Sequence, residues 1–302
     1  MSSRALGTAL VAAAALAAVP AAAHVVVGVR LFPVTLTFDD PGVADEATLP
    51  AIVTPPAGNG QRLGQLQWEY DKTITPTTAL IYNQGYDALW QPGERVRSGF
   101  ENVFLTAKWQ LYTDPEHESV VSLGVIRELG GNSATQAIGG DAYGSTAPSI
   151  YFGQGFGFMP IPALRPFAIT GEGNYVIADH RLNSDGDNSG NPNAWLGGLS
   201  FQYSIPYLQS QVHDFGLPDF IGRLIPLVET TWYSPAERPA YGLPSTFTIA
   251  AGAIYMADAY QSGLELLIPG NKASGRHLGA LWQLHFFFDD LFPNTIGKPL
   301  LP

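Results

Sequence analysis

Apolar and polar residues alternate with a period of two along most of this chain. In 62–71, Leu66, Trp68 and Tyr70 alternate with Gln65, Gln67 and Glu69. In 101–112, Val103, Leu105, Ala107, Trp109 and Leu111 share one face, and Asn102, Thr106, Lys108 and Gln110 share the other. Segment 194–205 sets Trp195, Leu199, Phe201, Tyr203 and Ile205 against Gly198, Ser200, Gln202 and Ser204. Segments 246–256 and 277–288 repeat the pattern, the second with Leu278, Ala280, Trp282, Leu284 and Phe286 on its apolar side. Successive side chains of a strand point to opposite faces, so each segment carries one apolar face and one polar or small face. A helix would scatter the same residues around its axis. The prediction is an all-β chain.

A soluble sandwich hides such an apolar face in protein, and a membrane barrel presents it to lipid. Three features favour lipid. The polar faces hold Gly, Ser, Thr and Gln in place of the Lys/Glu mixture of a wetted sheet. The segments run about 10 to 14 residues, against a mode near 5 to 6 for soluble strands and about 9 to 11 for a bilayer crossing. Tyr70, Tyr112, Trp195, Trp232, Tyr233 and Tyr255 lie near segment ends, where interfacial aromatic girdles belong.

Twelve strands are predicted, at 25–38, 62–71, 77–86, 100–112, 117–129, 147–158, 164–179, 193–205, 220–233, 246–256, 259–268 and 276–288. Connections 73–76, 113–116, 159–163 and 257–258 are short, while 39–61, 87–99, 130–146, 180–192, 234–245 and 269–275 are longer. Short periplasmic turns, long outer loops and an even strand number describe a single antiparallel outer-membrane barrel with both termini in the periplasm. Segment 206–219 breaks the alternation. Its Tyr207, Leu208, Gln211, Val212 and Phe215 predict a short amphipathic helix at the barrel's base or in its mouth. Pro33, Pro166 and Pro226 fall inside predicted strands and remove ladder hydrogen bonds, so bulges are expected there. A ten-stranded barrel with an N-terminal periplasmic extension is the alternative.

Composition sharpens the compartment. Charged residues make up 14% of the chain, against roughly 25% in ordinary globular proteins. The net charge of -11 disfavours nucleic acid as a partner, and the absence of Cys excludes disulfides, thiolate metal sites and thiol nucleophiles. Arg4, the apolar run over 5–19 and Ala21-Ala22-Ala23 form the pattern of a secretory signal peptide. At about 15 residues the run is shorter than the roughly 20 that a spanning helix needs. The expected division is a signal peptide at 1–23 and an outer-membrane barrel domain at 24–302. Outer-membrane lipid, lipopolysaccharide, the barrel assembly machinery and a small-molecule solute are the expected partners.

Catalytic patterns are missing. The six histidines form no H-E-x-x-H or H-x-H motif, no G-x-S-x-G elbow occurs, and nothing local joins Ser200 or Ser204 to His285. No enzyme activity, cofactor or metal is predicted. The run 183–189, Asn-Ser-Asp-Gly-Asp-Asn-Ser, lacks the spacing of a calcium loop and reads as a solvated turn. Asp39, Asp40, Asp45 and Glu46, around Pro41-Gly42, are expected in a turn at the outer surface. Gly153, Gly155 and Gly157 alternate with Phe152, Phe156 and Phe158, giving a small inward face and a bulky outward one. Charge on the lipid face near the midplane costs a few kcal/mol, so ionisable residues on the polar faces belong in the lumen. The pore-lining candidates are Glu69, Lys108, Glu172, Glu229, Glu265, Gln283 and His285, with Gln67, Gln110 and Gln261 nearby. Twelve strands predict a narrow, partly obstructed lumen, and the excess of Glu over Lys favours neutral or cationic solutes.

Four stretches carry a family resemblance: VGVRLFPVTLTFDDPGVADEATLP (27–50), LRPFAITG (164–171), SIPYLQSQVHDFGLPDFIGRLIPLVE (204–229) and YQSGLELLIPGN (260–271). Across about 27–288 the chain resembles the outer-membrane β-barrel family named for the meta-pathway of phenol degradation. The resemblance implies a passive outer-membrane channel, with uptake of small aromatic compounds as the suggested role, and it brings no catalytic residues. Two other readings stay open: a closed structural or surface-binding barrel without transport, and a secreted β-sandwich that binds carbohydrate.

Overall fold

The alternating segments pair into one closed antiparallel ring. The computed structural model describes residues 25–58, 60–131, 133–138, 140, 142–180, 190–236 and 243–302. A two-stranded hairpin, β1 (Val25–Val27) and β2 (Arg30–Phe32), stands apart from the wall. The wall begins with β3 (Glu46–Thr54), β4 (Arg62–Thr75), β5 (Thr78–Trp90), β6 (Arg97–Phe100) and β7 (Val103–Asp114). It continues through β8 (Ser119–Leu129), β9 (Ser145–Gly155), β10 (Phe167–Ala178), β11 (Ala194–Tyr203) and β12 (Leu224–Pro235). β13 (Thr246–Met256), β14 (Tyr260–Pro269) and β15 (Gly279–Phe287) complete it. Each strand pairs with its sequence neighbour, and β15 pairs with β3 to close the ring. β6 and β7 are two parts of one wall strand, since both pair with β5 and only 101–102 separate them. The wall therefore has twelve strands, as expected.

Burial is inverted relative to a soluble protein. Leu66, Leu80, Leu105, Trp109, Val125, Ile150, Phe201, Val228, Leu264 and Leu266 are exposed on the outer surface. Thr106, Ser122, Thr170, Ser200, Gln202, Glu229 and His285 are buried inside. An apolar band that the chain itself leaves uncovered is stable only against an apolar solvent. Aromatic pairs mark the rims: Tyr86 meets Phe100 edge-on at 5.1 Å, and Phe220 stacks on Tyr255 at 5.4 Å. No helix among the described residues is long and apolar enough to cross a membrane.

The connections sort by end. At the base, where β3 starts and β15 stops, lie 76–77, 115–118, 156–166, 204–223 and 257–259. At the mouth lie 55–58 with 60–61, 91–96, the described parts of 130–144, 179–180 with 190–193, 236 with 243–245, and 270–278. Segment 206–219 is helical in part, with turns at Ile205–Tyr207, Leu208–Val212 and Asp219–Gly222. It caps the base, and Tyr207 is buried while Phe215 is exposed. Residues 1–24, with the expected signal peptide, and the run 183–189 lie outside the described residues.

One strand is corrected. Segment 25–38 is not the first wall strand; it enters the barrel, and β3, which the sequence suggested was loop, takes its place. Val34 and Leu36 pack inside against Ile225, Leu227, Ala250, Ile254, Leu281 and Phe287. Phe38 reaches the inner wall at Gly198, where even a Cβ would collide with its ring. The chain then turns at Pro41-Gly42, where Gly42 N donates to Asp40 Oδ1 at 2.5 Å and Ser122 Oγ donates to Pro41 O at 2.5 Å. The acidic cluster of Asp39, Asp40, Asp45 and Glu46 is therefore not at the outer surface, and Asp40, Asp45 and Glu46 are all buried. The ten-stranded alternative fails with it, because the N-terminal segment lies inside a twelve-stranded wall.

Candidate functional site: the occupied lumen

Inward positions of the wall grip the segment 25–44 from several sides. On β7, Lys108 Nζ donates to Asp39 Oδ1 at 2.7 Å and to Asp40 O at 3.0 Å, and it lies 4.7 Å from the Tyr151 ring centre. On β10, Glu172 accepts from Asp39 N at 3.1 Å and from Asn174 Nδ2 at 2.7 Å. On β12, Glu229 accepts from Thr37 N at 2.9 Å and Thr37 Oγ1 at 2.6 Å, with Leu36 N at 3.2 Å. On β14, Gln261 donates to Val34 O at 2.8 Å and accepts from Val34 N at 3.1 Å. The segment has no neighbouring strand over 33–45, so these side chains satisfy backbone groups that a ladder would otherwise satisfy. The contact between Lys108 and Asp39 is charge-assisted and correspondingly strong.

The remaining candidates divide. Glu69 accepts from Asn83 Nδ2 at 3.0 Å. Gln283 donates to Thr48 Oγ1 at 2.8 Å. His285 is fully buried and ties the wall to itself, through Thr48 Oγ1 at 2.9 Å and Glu46 Oε2 at 3.1 Å. Glu265 is buried near Glu229, and neither of its carboxylate oxygens has a hydrogen-bond partner. Thus Lys108, Glu172 and Glu229 converge on the segment, Glu69 and Gln283 face a gap beside it, and His285 and Glu265 belong to other parts of the inner wall.

The gap has a volume of about 210 Å³ and lies between 34–39 and the wall at Thr48, Gln67, Glu69, Asn83, Glu172 and Gln283. The gap is polar and wide enough to be hydrated. A second cavity of about 280 Å³ opens toward the mouth. It is lined by Phe38, Phe104, Ile126, Val176 and Leu196, with Glu172 and Asn174 at its edge. Thr37, Phe38 and Glu172 border both spaces, so the tip of the segment separates a polar compartment from a largely apolar one.

A second lock sits at the base and was not recognised in the sequence. Arg30 Nε donates to Glu118 Oε2 at 3.0 Å, Nη1 donates to Pro166 O at 3.2 Å, and Nη2 donates to Arg165 O. The guanidinium lies 3.8 Å from the Tyr207 ring centre, and the Tyr207 hydroxyl donates to Glu118 Oε1 at 2.8 Å. Burial pulls the Arg30 guanidinium below its usual range, opposed by the charge of Glu118. Burial, aided by the bond to Glu118, pushes the Tyr207 phenol up to about 12. The only sequence signal for this lock was a lone Arg inside the apolar run VVVGVRLF. Among the described residues, no group of His, Asp and Glu is placed to hold a metal ion.

No family model matches the chain, and no curated protein matches it in sequence. Among solved structures it is similar to the COG4313 outer membrane channel from Pseudomonas putida F1. The identity is 13% over 85% of this chain and 99% of that chain, with a TM-score of 0.53. It is also similar to the NanC porin, at 10% identity over 79% of this chain and 98% of that one, with a TM-score of 0.46. A further similar structure is OprD from Pseudomonas aeruginosa, at 7% identity over 84% and 97% of the two chains, with a TM-score of 0.34. The likeness to the Pseudomonas putida channel is one of fold: a closed antiparallel barrel of the type found in outer-membrane channels.

Proposed function

We propose that this chain is a passive outer-membrane channel for small neutral or cationic solutes, with the segment 25–44 as a constriction in its lumen. The gap beside the segment tip carries the proposal. It is polar, it is lined by Glu69 and Glu172, and the nearby ammonium of Lys108 is already neutralised by Asp39. Carboxylates around a narrow path attract cations and repel anions. Outer-membrane placement is supported by the uncovered apolar band, the aromatic rims and the shared fold. Pore lining by Glu69, Lys108, Glu172, Glu229, Glu265, Gln283 and His285 is part of the same proposal, with Glu69, Glu172 and Gln283 nearest the path.

The apolar compartment above the tip supports an aromatic cargo, as does the resemblance to the meta-pathway family. An aromatic ring fits between Phe38, Phe104 and Leu196, with any amine or hydroxyl directed to Glu172 or Asn174. Liposome swelling tests this, using size-matched neutral, cationic and anionic aromatic solutes on the folded protein and on a variant lacking 25–42. The expected order is neutral and cationic above anionic, with faster swelling for the deletion. A folded deletion variant that stays impermeable would establish the alternative, a closed structural or surface-binding barrel. The observation favouring that alternative is the same segment, which fills the lumen of the intact chain.

A further inference from the structure

A cleft at the mouth gathers cations that no described residue neutralises. Arg62 at the start of β4, and Lys272 and Arg276 between β14 and β15, line one space of about 400 Å³ that contains no carboxylate. This is unusual in a chain of net charge -11. Three other arginines at the barrel ends are paired: Arg97 with Glu94, Arg127 with Asp179, and Arg223 with Asp219 and Asp258. Among the described residues, Arg62, Lys272 and Arg276 make no ion pair.

The cleft is built in advance. Arg276 N and His277 N donate to Ala57 O at 2.9 and 3.2 Å, which fastens the 270–278 loop to the 55–58 loop. Ser274 Oγ donates to Phe247 O and accepts from Phe247 N, both at 2.7 Å, and Asn271 Nδ2 donates to Ser245 O at 3.0 Å. Gly275, at φ 126°, lies against the Pro56–Ala57 backbone, where a side chain would strain both loops. A rigid loop that holds unneutralised charge has already met the cost of ordering a binding site.

Position indicates the ligand. Arg62 stands opposite Trp90 on the outward face of the wall, and both border an adjoining groove of about 910 Å³ with Thr54, Leu278 and His277. Trp90 and Leu278 are exposed there, at the level where an outer leaflet passes from acyl chains to headgroups. Guanidinium groups bind phosphate oxygens in bidentate geometry. We infer that Arg62, Lys272 and Arg276 form a binding site for the phosphate groups of a lipopolysaccharide headgroup, whose sugar and proximal acyl carbons lie along Trp90 and Leu278.

Binding to the full-length protein, folded in detergent, would be measured for bisphosphorylated lipid A, for the same lipid stripped of phosphate, and for inorganic phosphate. The variants are Arg62→Gln/Lys272→Gln/Arg276→Gln, the charge-preserving Arg62→Lys/Arg276→Lys and, at the opposite end of the barrel, the control Arg223→Gln. A gel shift on boiling verifies folding, and single Gln variants replace the triple variant if it fails that check. The expected result is binding of bisphosphorylated lipid A weakened at least tenfold in the Gln variant and on phosphate removal, with the Lys variant between the Gln variant and wild type and the control near wild type. Equal binding by wild type and Gln variants, or equal binding of the phosphate-free lipid, overturns the site. If only inorganic phosphate binding depends on these residues, the ligand is free phosphate and the lipid assignment is overturned. None of these readouts involves permeation, so they stand or fall separately from the channel function.

Discussion

Replacing Lys108 with Met keeps the volume of the side chain and removes its charge from beneath the segment tip. The lysine side chain is 1% exposed and that of Asp39 is 21% exposed. Deleting one partner of a buried ion pair costs about 3 to 5 kcal/mol, and the partial exposure of Asp39 argues for the lower value of about 3. The wall ladder between β7 and its neighbours is backbone-made and does not depend on this ammonium. The cost therefore falls on the docking of 25–44 and not on barrel closure. At 1.4 kcal/mol per tenfold, about 3 kcal/mol raises the undocked population roughly 100-fold. Single-channel recording in a planar bilayer reads this as more time in a higher-conductance state, and protease cleavage within 25–44 reports the same displacement independently. The double variant Lys108→Met/Asp39→Asn removes the stranded carboxylate and should recover most of the wild-type behaviour. A folded Lys108→Met protein with unchanged conductance and unchanged protease resistance refutes the idea that this ion pair holds the tip.

Gly198→Val places a branched side chain where the Phe38 ring lies, so it should expel the tip and raise conductance without altering the boiled-versus-unboiled gel shift. Val228→Arg puts a charge on the outward face of β12, between Phe201 and Ala251. It should cost about 2 to 4 kcal/mol in reversible unfolding from lipid vesicles, and little in a soluble setting. Asp289, which follows β15 at the base, accepts from Asp45 N at 3.0 Å, and burial pushes its carboxyl up to about 8. Its folded-state value lies above its unfolded one, so the contribution to stability is present at low pH and is lost as pH rises from about 4 through about 8. Asp289→Asn mimics the protonated acid and should flatten the loss of protection of the C-terminal segment measured by hydrogen exchange between pH 5 and 9.

The wall was largely legible because alternation reports a two-faced strand regardless of what covers each face. The segment 246–256 was delimited as β13, and the outward sets on β11 and β15 match those read from the sequence. What failed was the boundary between wall and filling. Segment 25–38 alternates too, because a chain crossing the lumen meets an apolar wall on one side, at Val34 and Leu36, and polar groups on the other. β3 escaped notice for the opposite reason. The register shifts at Leu49-Pro50, so Glu46 and Thr48 point inward before the bulge, and Ala51 and Val53 point inward after it. That shift breaks the period of two. The inward orientation of the seven candidates was readable from parity alone. Their grip on Asp39, Thr37 and Val34 was not, since it joins residues separated in sequence by up to 227 positions.

In the proposed channel, the segment in the lumen would set selectivity as well as narrow the path, with a consequence opposite to simple widening. Asp39, Asp40, Glu46, Glu69, Asp71 and Glu172 all lie within electrostatic reach of one another or of Lys108. In the intact chain Asp39 and the Asp40 carbonyl occupy the ammonium of Lys108, so a solute in the gap meets Glu69 and Glu172 without a compensating cation. Deleting 25–42 removes Asp39, Asp40 and Arg30, a net loss of negative charge, and returns Lys108 to the open path. Widening also weakens the field of each wall carboxylate, because more water intervenes. Conductance should therefore rise while preference for cations falls, seen as a reversal potential in a potassium chloride gradient that moves toward zero. A deletion variant that becomes more cation-selective would show that the wall carboxylates alone set the preference, with Asp39 and Lys108 electrically silent.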